Sequence, residues 1–376
     1  VKSKPLYSKI YETLKERIEN RDYLPGEQLP TESELTVMFQ VSRITVKRAL
    51  DDLEQQGYIY RIKGSGSYVN GPGGSGSAAR LMQRMIAFIL PSEGASGIGG
   101  YVSGASKELE SRGYYLSIHT TNESPAKERE LLESLPKNGI QGIIFYPING
   151  RTNLDAVYTL YMNGFPIVTI DKYYEGIPVG SVVADNQAGG YMAASRLAQL
   201  GHSRIAFVSS VSLDSATSVK NRYIGYCRAL KDHGLLLDPE LVVLDYIEEL
   251  GRMGEQPFYE QLVHRLMRLK VTAVQAENDH VAIKLLLAAA SLDLKVPEQL
   301  SIVGFDNNEL AEHVDIPLTT VEQQFKEIGR KAAELIVHAL ETGQYPDARH
   351  EIPVLWKERA STGKPPRSHA VWNADV

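Results

Sequence analysis

Tyr7, Ile10, Tyr11, Leu14 and Ile18 follow the i, i+3, i+4, i+7 rhythm of one helix face, so the spacing predicts a helix near the start of the chain. "YLPGEQLP", with two prolines and a glycine, breaks it. Thr31-Glu32-Ser33-Glu34 fits a capping box and predicts a second helix running to about Phe39. Gln40-Val41-Ser42 connects it to a third. Ser42 is a good N-cap there, Val46, Ala49, Leu50 and Leu53 make a buried stripe, and Gly57 ends the helix. The rhythm then changes. Tyr58 to Ile62, Lys63-Gly64-Ser65-Gly66 and Ser67 to Val69 read as strand, flexible tip and strand.

Further on, short apolar runs alternate with helical patterns. The runs are Met85–Leu90, Tyr115–His119, Ile140–Tyr146, Ile167–Ile170, Arg204–Val208, Leu241–Leu244, Ala273–Gln275 and Ile302–Phe305. Strand–helix alternation predicts parallel sheets with right-handed crossovers. About 280 residues is long for a single sheet, so two α/β subdomains are expected. Between the halves, 71–80 is a glycine- and serine-rich stretch that reads as a flexible linker.

Composition narrows the function classes. The chain has 376 residues, suited to two or three domains, with 43% hydrophobic and 23% charged residues. No apolar run is long enough for a membrane span, and the polar N-terminus has no signal-peptide core. Cys227 is the only cysteine, so a cytoplasmic location is the expectation and no thiolate metal cluster is available. His119, His202, His280 and His313 are scattered without ligand spacing. No metal and no cofactor are expected. Net charge is -6, yet residues 1–70 hold 11 Lys+Arg against 10 Asp+Glu. Any polyanion binding there must come from local clustering, not bulk charge.

Two short helices joined by a three-residue turn form a helix-turn-helix. Its second helix presents Arg43, Thr45 and Lys47 near the N-terminal end, where major-groove base contacts are made. A hairpin with a basic glycine tip can enter a minor groove. As an isolated basic triplet, Arg43, Lys47 and Arg48 read better as a solvated face. Cap, turn, helix and wing in order favour DNA. "LPTESEL", "VSRITVKRALDDLEQQGYI" and "GSGSYV" resemble the DNA-binding domain of the GntR family of bacterial regulators, over residues 4–70. The resemblance implies DNA contacts from Ser33, Ser42, Arg43, Thr45, Lys47, Lys63 and Gly64, with Arg48 beside them. Family members usually carry Arg where Lys47 stands, and lysine lacks the bidentate fork.

In open α/β sheets, ligands bind beyond the carboxyl ends of the strands. There the sequence places Asp171-Lys172-Tyr173-Tyr174, Glu277-Asn278-Asp279 and Asp306-Asn307-Asn308, residue types that pair with vicinal hydroxyls. "VVADNQAGGYMAASRLAQLGHSRIAFV", "NRYIGYCRALKDHGL", "AENDHVAIKLL" and "LKVPEQLSIVGFDNNELA" resemble the effector domain of LacI/GalR regulators. The implied fold is an α+β winged helix-turn-helix domain (1–70) followed by a two-lobed α/β periplasmic-binding-protein-like domain with parallel sheets (81–362), which also dimerises, and a tail (363–376). The resemblance implies lobes of about 81–184 with 309–344 and 185–308 with 345–362, crossed near Asp185, Asn308 and Tyr345. It implies effector contacts from Arg222, Asn278, Asp279 and Asp306; Lys172 and Tyr146 join them for their places at strand ends. Asp306 could instead cap a helix, Lys172 could be a solvated charge, and Asp185 reads as the cap of the helix from Asn186. Ala95-Ser96-Gly97-Ile98 departs from the family pattern of Asn-Pro with aromatics, which leaves Tyr101, Tyr173, Tyr174 and Trp356 as candidates to stack on a ligand.

No nucleophile elbow, Walker loop or metal-binding pair occurs, and "GASGIGG" matches no phosphate-loop spacing. The expectation is therefore a repressor of carbohydrate-utilisation genes, not an enzyme. Its expected partners are operator double-stranded DNA, a sugar effector and a second copy of itself, with no membrane. The domain pairing resembles the arabinose-responsive repressors of bacteria, which implies L-arabinose as inducer. The alternatives are a sugar-processing enzyme on a DNA anchor, or a regulator sensing a non-sugar or phosphorylated sugar.

Overall fold

The computed structural model describes residues 6–62, 66–70 and 84–366. Lys63, Gly64, the 71–80 linker and 367–376 of the tail lie outside the described residues. The chain divides into two compact units, Val1–Met85 and Ile86–Val376.

The first unit has three helices, α1 (Leu6–Glu19), α2 (Glu32–Phe39) and α3 (Arg43–Gln55), then strands β1 (Ile59–Ile62) and β2 (Gly66–Val69). Both expected caps form. Thr31 and Glu34 close a reciprocal capping box on α2, and the Ser42 side chain accepts from Thr45 N at the start of α3. Gln40, left-handed at φ 54°, stops α2 and makes the turn tight. The strands pair antiparallel with Ile59 opposite Val69. Ile10, Leu14, Leu35, Val46, Ala49, Leu50, Leu53, Ile59 and Val69 form the core.

The second unit holds two six-stranded sheets. The first contains β3 (Met85–Leu90), β4 (Tyr115–Thr120), β5 (Gly142–Phe145), β6 (Ile167–Ile170), β7 (Ser181–Ala184) and β13 (Arg349–Ile352), in the order β13-β7-β6-β5-β3-β4. The second contains β8 (Ile205–Val208), β9 (Val242–Val243), β10 (Ala273–Ala276), β11 (Ser301–Asp306), β12 (Thr319–Glu322) and β14 (Leu355–Lys357), in the order β14-β12-β11-β10-β8-β9. β14 is antiparallel to its neighbour, β12. Runs such as IVTI and IAFV are apolar at almost every position because helices cover both faces of a parallel sheet.

The sheets define two lobes, and the crossing points differ from expectation. The chain first crosses at Asp185, as expected. β12 pairs in parallel with β11, so 309–322 belongs to the second lobe, not the first. The second crossing therefore lies at Gln323-Gln324, not near Asn308. β13 pairs with β7 in the first lobe and β14 with β12 in the second, so the third crossing is at Pro353-Val354, not near Tyr345. The expected crossings came from the resemblance; β12 (TTVE) and β13 (RHEI), which fix the later two, carry no apolar run that could have corrected them.

Each lobe holds one closely packed helix pair. In the first, α4 (Ile98–Ser111) meets α13 (Phe325–Thr342); in the second, α7 (Asn186–Leu200) meets α8 (Thr217–Asp232). Both pairs cross at reciprocal glycines. A Cβ on Gly104 would strike the Lys326 carbonyl and one on Gly329 the Tyr101 backbone. A Cβ on Gly190 would strike the Arg222 backbone and one on Gly225 the Gln187 carbonyl. Gly225→Ala should therefore force α7 and α8 apart, at a cost of roughly 1–3 kcal/mol or more. Calorimetry should show a lower melting temperature for the second unit, whereas Gly251→Ala, with open space around it, should leave that transition in place.

Candidate functional site

The N-terminal end of α3 is built from its cap outward. Ser42 Oγ lies 2.8 Å from Thr45 Oγ1, so these two side chains hold each other at the first turn. Arg43, 76% exposed, donates through Nε to Glu32 Oε2 at 2.9 Å. That contact orients the guanidinium, and its carboxylate partner was not foreseen, because it comes from the other helix of the motif. Ser33 and Lys47 are exposed and Thr45 is half-buried. Arg48 is engaged with α1: its guanidinium sits 4.0 Å from the Tyr7 ring centroid. Arg61, also basic in sequence, pairs with Asp51 at 2.8 Å and Glu54 at 3.5 Å and so fastens the hairpin to α3. Of the residues expected at the wing tip, Lys63 and Gly64 lie outside the described residues.

In the second unit, polar side chains from both lobes converge at the strand ends. The first lobe supplies Asp171 and Lys172 after β6, Tyr146 after β5, and Tyr101 on α4. The second supplies Asp306 at the end of β11 and Arg222 on α8. Lys172 Nζ lies 3.5 Å from Asp171 Oδ2, 3.4 Å from the Pro147 carbonyl and 4.5 Å from the Tyr146 ring. Tyr101 donates to Asp171 Oδ1 at 3.4 Å and meets Tyr146 edge-on. Arg222 stacks 3.7 Å over Phe305, lies 3.5 Å from Asp306 Oδ1, donates to Asn186 Oδ1 at 2.8 Å, and reaches the Glu277 carbonyl. Gln323, in the second crossing, donates to Asp306 Oδ1 at 2.6 Å. The buried Ser96 hydroxyl lies by the Asp306 carboxyl without closing a well-formed hydrogen bond, and Gln323 Oε1 is buried without one among the described residues. Asp171, Asp306 and Asn307 all have positive φ, at 63°, 113° and 58°. Such strain gathers where a side chain must be aimed.

Burial dominates the electrostatics. It raises the Asp306 carboxyl, and the Arg222 guanidinium opposes the rise. Burial and the nearby Asp171 charge also push the Tyr101 and Tyr146 hydroxyls well up, so both remain donors.

Arg222, Asp306, Lys172 and Tyr146 are thus brought together, and two expected contacts are not. Asp279 is fully buried, with Oδ1 taken by the Thr320 hydroxyl and Oδ2 by Asn308 N at 2.8 Å. It braces the loop that aims Asp306. Asn278 caps helix α11 (Asp279–Ser291) through Val281 N at 2.9 Å. Asp306 caps no helix. Asp185 caps α7 through Ala188 N, as expected. Among the stacking candidates only Tyr101 belongs to the cluster. Tyr174 packs on Phe145 and Trp356 donates to Glu358. Tyr173 sits where the lobes touch, receiving Asn221 Nδ2 on its hydroxyl at 3.2 Å and donating its backbone N–H to Thr217. Asp171, Ser96 and Gln323 also stand in this cluster; Asp171 was among the strand-end residues expected to face a ligand, while Gln323, in the second crossing, was not.

Fold and site together define a regulator: a winged helix-turn-helix joined to a two-lobed ligand-binding domain. Residues 6–69 match the model of bacterial regulatory proteins of the gntR family, and 194–362 match a periplasmic binding protein-like domain. The chain is 30% identical over 344 residues to an arabinose metabolism transcriptional repressor of Geobacillus stearothermophilus, covering 90% of this chain and 92% of that one. It is 28% identical over 342 residues to the repressor of the same description from Halalkalibacterium halodurans, covering 89% of each. It belongs to the family of transcriptional repressors in which a GntR-type DNA-binding domain precedes a periplasmic binding protein-like domain. Among solved structures, a LacI family regulator from Enterococcus faecium with bound ribose matches at TM-score 0.62, 23% identity, 74% of this chain and 98% of that one. A CelR–cellobiose complex matches at TM-score 0.65, 22% identity, 89% of this chain and all of that one. These two likenesses concern the fold.

The Asp279 carboxyl has a measurable signature. Burial, and then the Asp306 charge, push it up from 3.8 to about 7. A carboxyl raised on folding binds a proton that the unfolded chain has released, so its contribution falls as pH rises between those two values. In Asp279→Asn that loss is absent, and the Thr320 hydroxyl can turn to accept from the new amide. The stability difference between wild type and Asp279→Asn should shift against wild type by up to about 1.4 kcal/mol per pH unit between about pH 5 and pH 7. Melting temperatures of both proteins across that range check the sign.

Proposed function

We infer that the protein is an operator-binding repressor that works as a homodimer in the cytoplasm, is released by a small neutral sugar held between the lobes, and performs no chemistry on it. The observation that carries the sugar reading is the matched charge of the cluster. Arg222 stands with Asp306, and Lys172 with Asp171. Such pairs offer donors and acceptors to vicinal hydroxyls. They leave no surplus positive charge for a phosphate, which argues against a phosphorylated sugar. The two repressors described above, which match along most of this chain, support a sensor over a sugar-processing enzyme. L-arabinose is the first sugar to expect, supported by the descriptions of the two repressors above.

The effector contacts are Arg222, Asp306, Lys172 and Tyr146, joined by Tyr101, Asp171, Ser96 and Gln323. Asp279 is a positioning residue beneath them. On the DNA side, Ser33, Ser42, Arg43, Thr45 and Lys47 form the contact face, the wing adds Lys63 and Gly64, and Arg48 stands at its margin. A single recognition helix covers few base pairs, so two copies on a two-fold operator are required.

Two experiments test this reading. L-arabinose should raise the melting temperature of the second unit by mass action, ahead of other pentoses, hexoses and their phosphates. Arg222→Ala should weaken sugar binding about 30-fold or more, because it strands Asp306 in the pocket, while DNA binding without sugar stays near wild type. A shift for sugar phosphates alone, or full sugar binding by Arg222→Ala, contradicts the assignment. Separately, Arg43→Ala should lose about 1–3 kcal/mol of base discrimination. Site selection from random DNA should return a more degenerate sequence for that variant, and an unchanged sequence removes Arg43 from the base-reading set.

A further inference from the structure

We propose that Ile44 is a specificity-determining residue of the DNA-binding unit, reading the C5-methyl group of a thymine in the major groove. The assignment rests on the DNA-binding reading and deepens it. Ile44 is 81% exposed, one residue into α3. Residues of an α-helix advance by about 100° each. Val46, Ala49, Leu50 and Leu53 face the core, so Ile44 projects roughly opposite to them. Arg43 and Lys47 flank it on one side and Arg48 on the other. It is therefore the centre of the outward face, at the end of the helix that a groove receives.

Single exposed apolar residues are ordinary on protein surfaces. Val37 on α2 is equally bare at 78%, but α2 carries no Lys or Arg. What singles out Ile44 is an apolar branched tip ringed by cations at a capped N-terminus with no acidic residue in its first turn. That combination suits a surface that is anionic at its edges and carries a methyl group in its middle. The thymine methyl is the one apolar group on the base edges of the major groove, and apolar side chains are its usual partners. Arg43, held by Glu32, remains free on its other edge for a neighbouring guanine. The two side chains would then read adjacent bases by different chemistry, one polar and one apolar.

The test uses the full-length protein and duplexes enriched by it from a random-sequence pool. Each thymine of the enriched site is replaced in turn by deoxyuridine, which removes the C5-methyl and nothing else. Wild type should lose about fourfold in affinity at one thymine of each half-site, the worth of one buried methyl-sized group. Ile44→Ala should bind the unmodified site about as weakly and be indifferent to that same deoxyuridine, whereas Ile44→Val should keep the sensitivity. Ile44 supports no core, and alanine favours helix more than isoleucine does, so matching melting curves should confirm that the variants fold. The proposal is overturned if wild type tolerates every deoxyuridine, or if Ile44→Ala keeps the wild-type sensitivity. It is also overturned if Ile44→Ala changes the oligomeric state instead, which would make this face a protein contact. If wild type enriches no sequence at all, the DNA-binding reading itself fails, and the assignment fails with it.

Discussion

Two helix crossings without side chains between them set the geometry on which the polar cluster between the lobes depends. In each lobe a pair of helices closes to backbone contact through reciprocal glycines, Gly104 with Gly329 and Gly190 with Gly225. The backbone that Gly190 touches belongs to Arg222, and the backbone that Gly329 touches belongs to Tyr101. Each lobe thus pins the main chain of one residue of that cluster at a point where nothing can be inserted. From there Arg222 runs along Phe305 to Asp306, and Tyr101 reaches Asp171. The two arrangements mirror each other across the cleft. A side chain pinned at its root loses little freedom when it binds, which is how a rigid scaffold keeps polar contacts selective.

That arrangement is costly to the fold. Burying Arg222, Asp171 and Asp306 removes their hydration, and paired burial seldom repays the loss in full. The raised carboxyl of Asp306 and the positive φ values at Asp171, Asp306 and Asn307 are the local marks of that cost. The surrounding structure offsets it. One apolar cluster runs from Ile86, Phe88 and Leu90 through Tyr101 to Phe207, Tyr226 and Val321, joining the inner faces of both sheets. Separate clusters fill the outer face of each sheet. Some of the strain, at Asp171, Asp306 and Asn307, and the buried Gln323 Oε1 thus lie where a hydroxylated ligand could complete them.

Much of this was legible in the residues and some was not, for identifiable reasons. The capping box of α2, the Ser42 cap of α3 and the apolar stripe of the first unit are local signals, and each appears where its spacing places it. Continuous apolar runs located β3, β5, β6, β8, β10 and β11, because parallel strands buried on both faces must be apolar throughout. β12, β13 and β14 carry Thr, Glu, Arg, His and Lys at the lobe boundary, and no short-range pattern separates them from loop. Residue type found Asp279 and Asp306 equally well but could not distinguish them. Asp279 opens a helix and turns inward onto Thr320 and Asn308, while Asp306 ends a strand in an unusual backbone conformation that turns it to Arg222. The same holds for Arg61, whose basicity is spent on Asp51 and Glu54. Sequence shows which charges exist, and only the fold shows which of them are already answered.

The contacts between the lobes bear on how a ligand could act. Lys220 pairs with Glu175 at 2.9 Å and Arg151 with Asp214 at 3.4 Å, and the Gly150 N–H reaches the Ser215 carbonyl at 3.3 Å. Glu175, Arg151 and Asp214 are well exposed, and exposed ion pairs contribute about 0–1 kcal/mol each. Such a rim guides closure but supplies little of its energy. The lobes are joined covalently by three short passages, at Asp185, Gln323-Gln324 and Pro353-Val354. Gln323 belongs to one of those passages and also holds Asp306. A ligand that completes Gln323 and Asp306 together therefore acts on a pocket wall and on a hinge at once. By linkage, it can alter DNA affinity only to the extent that it prefers one hinge state over the other. The rim contributes little to that preference, so it must come from the ligand's own bonds across the cleft together with the apolar cluster shared by the two sheets.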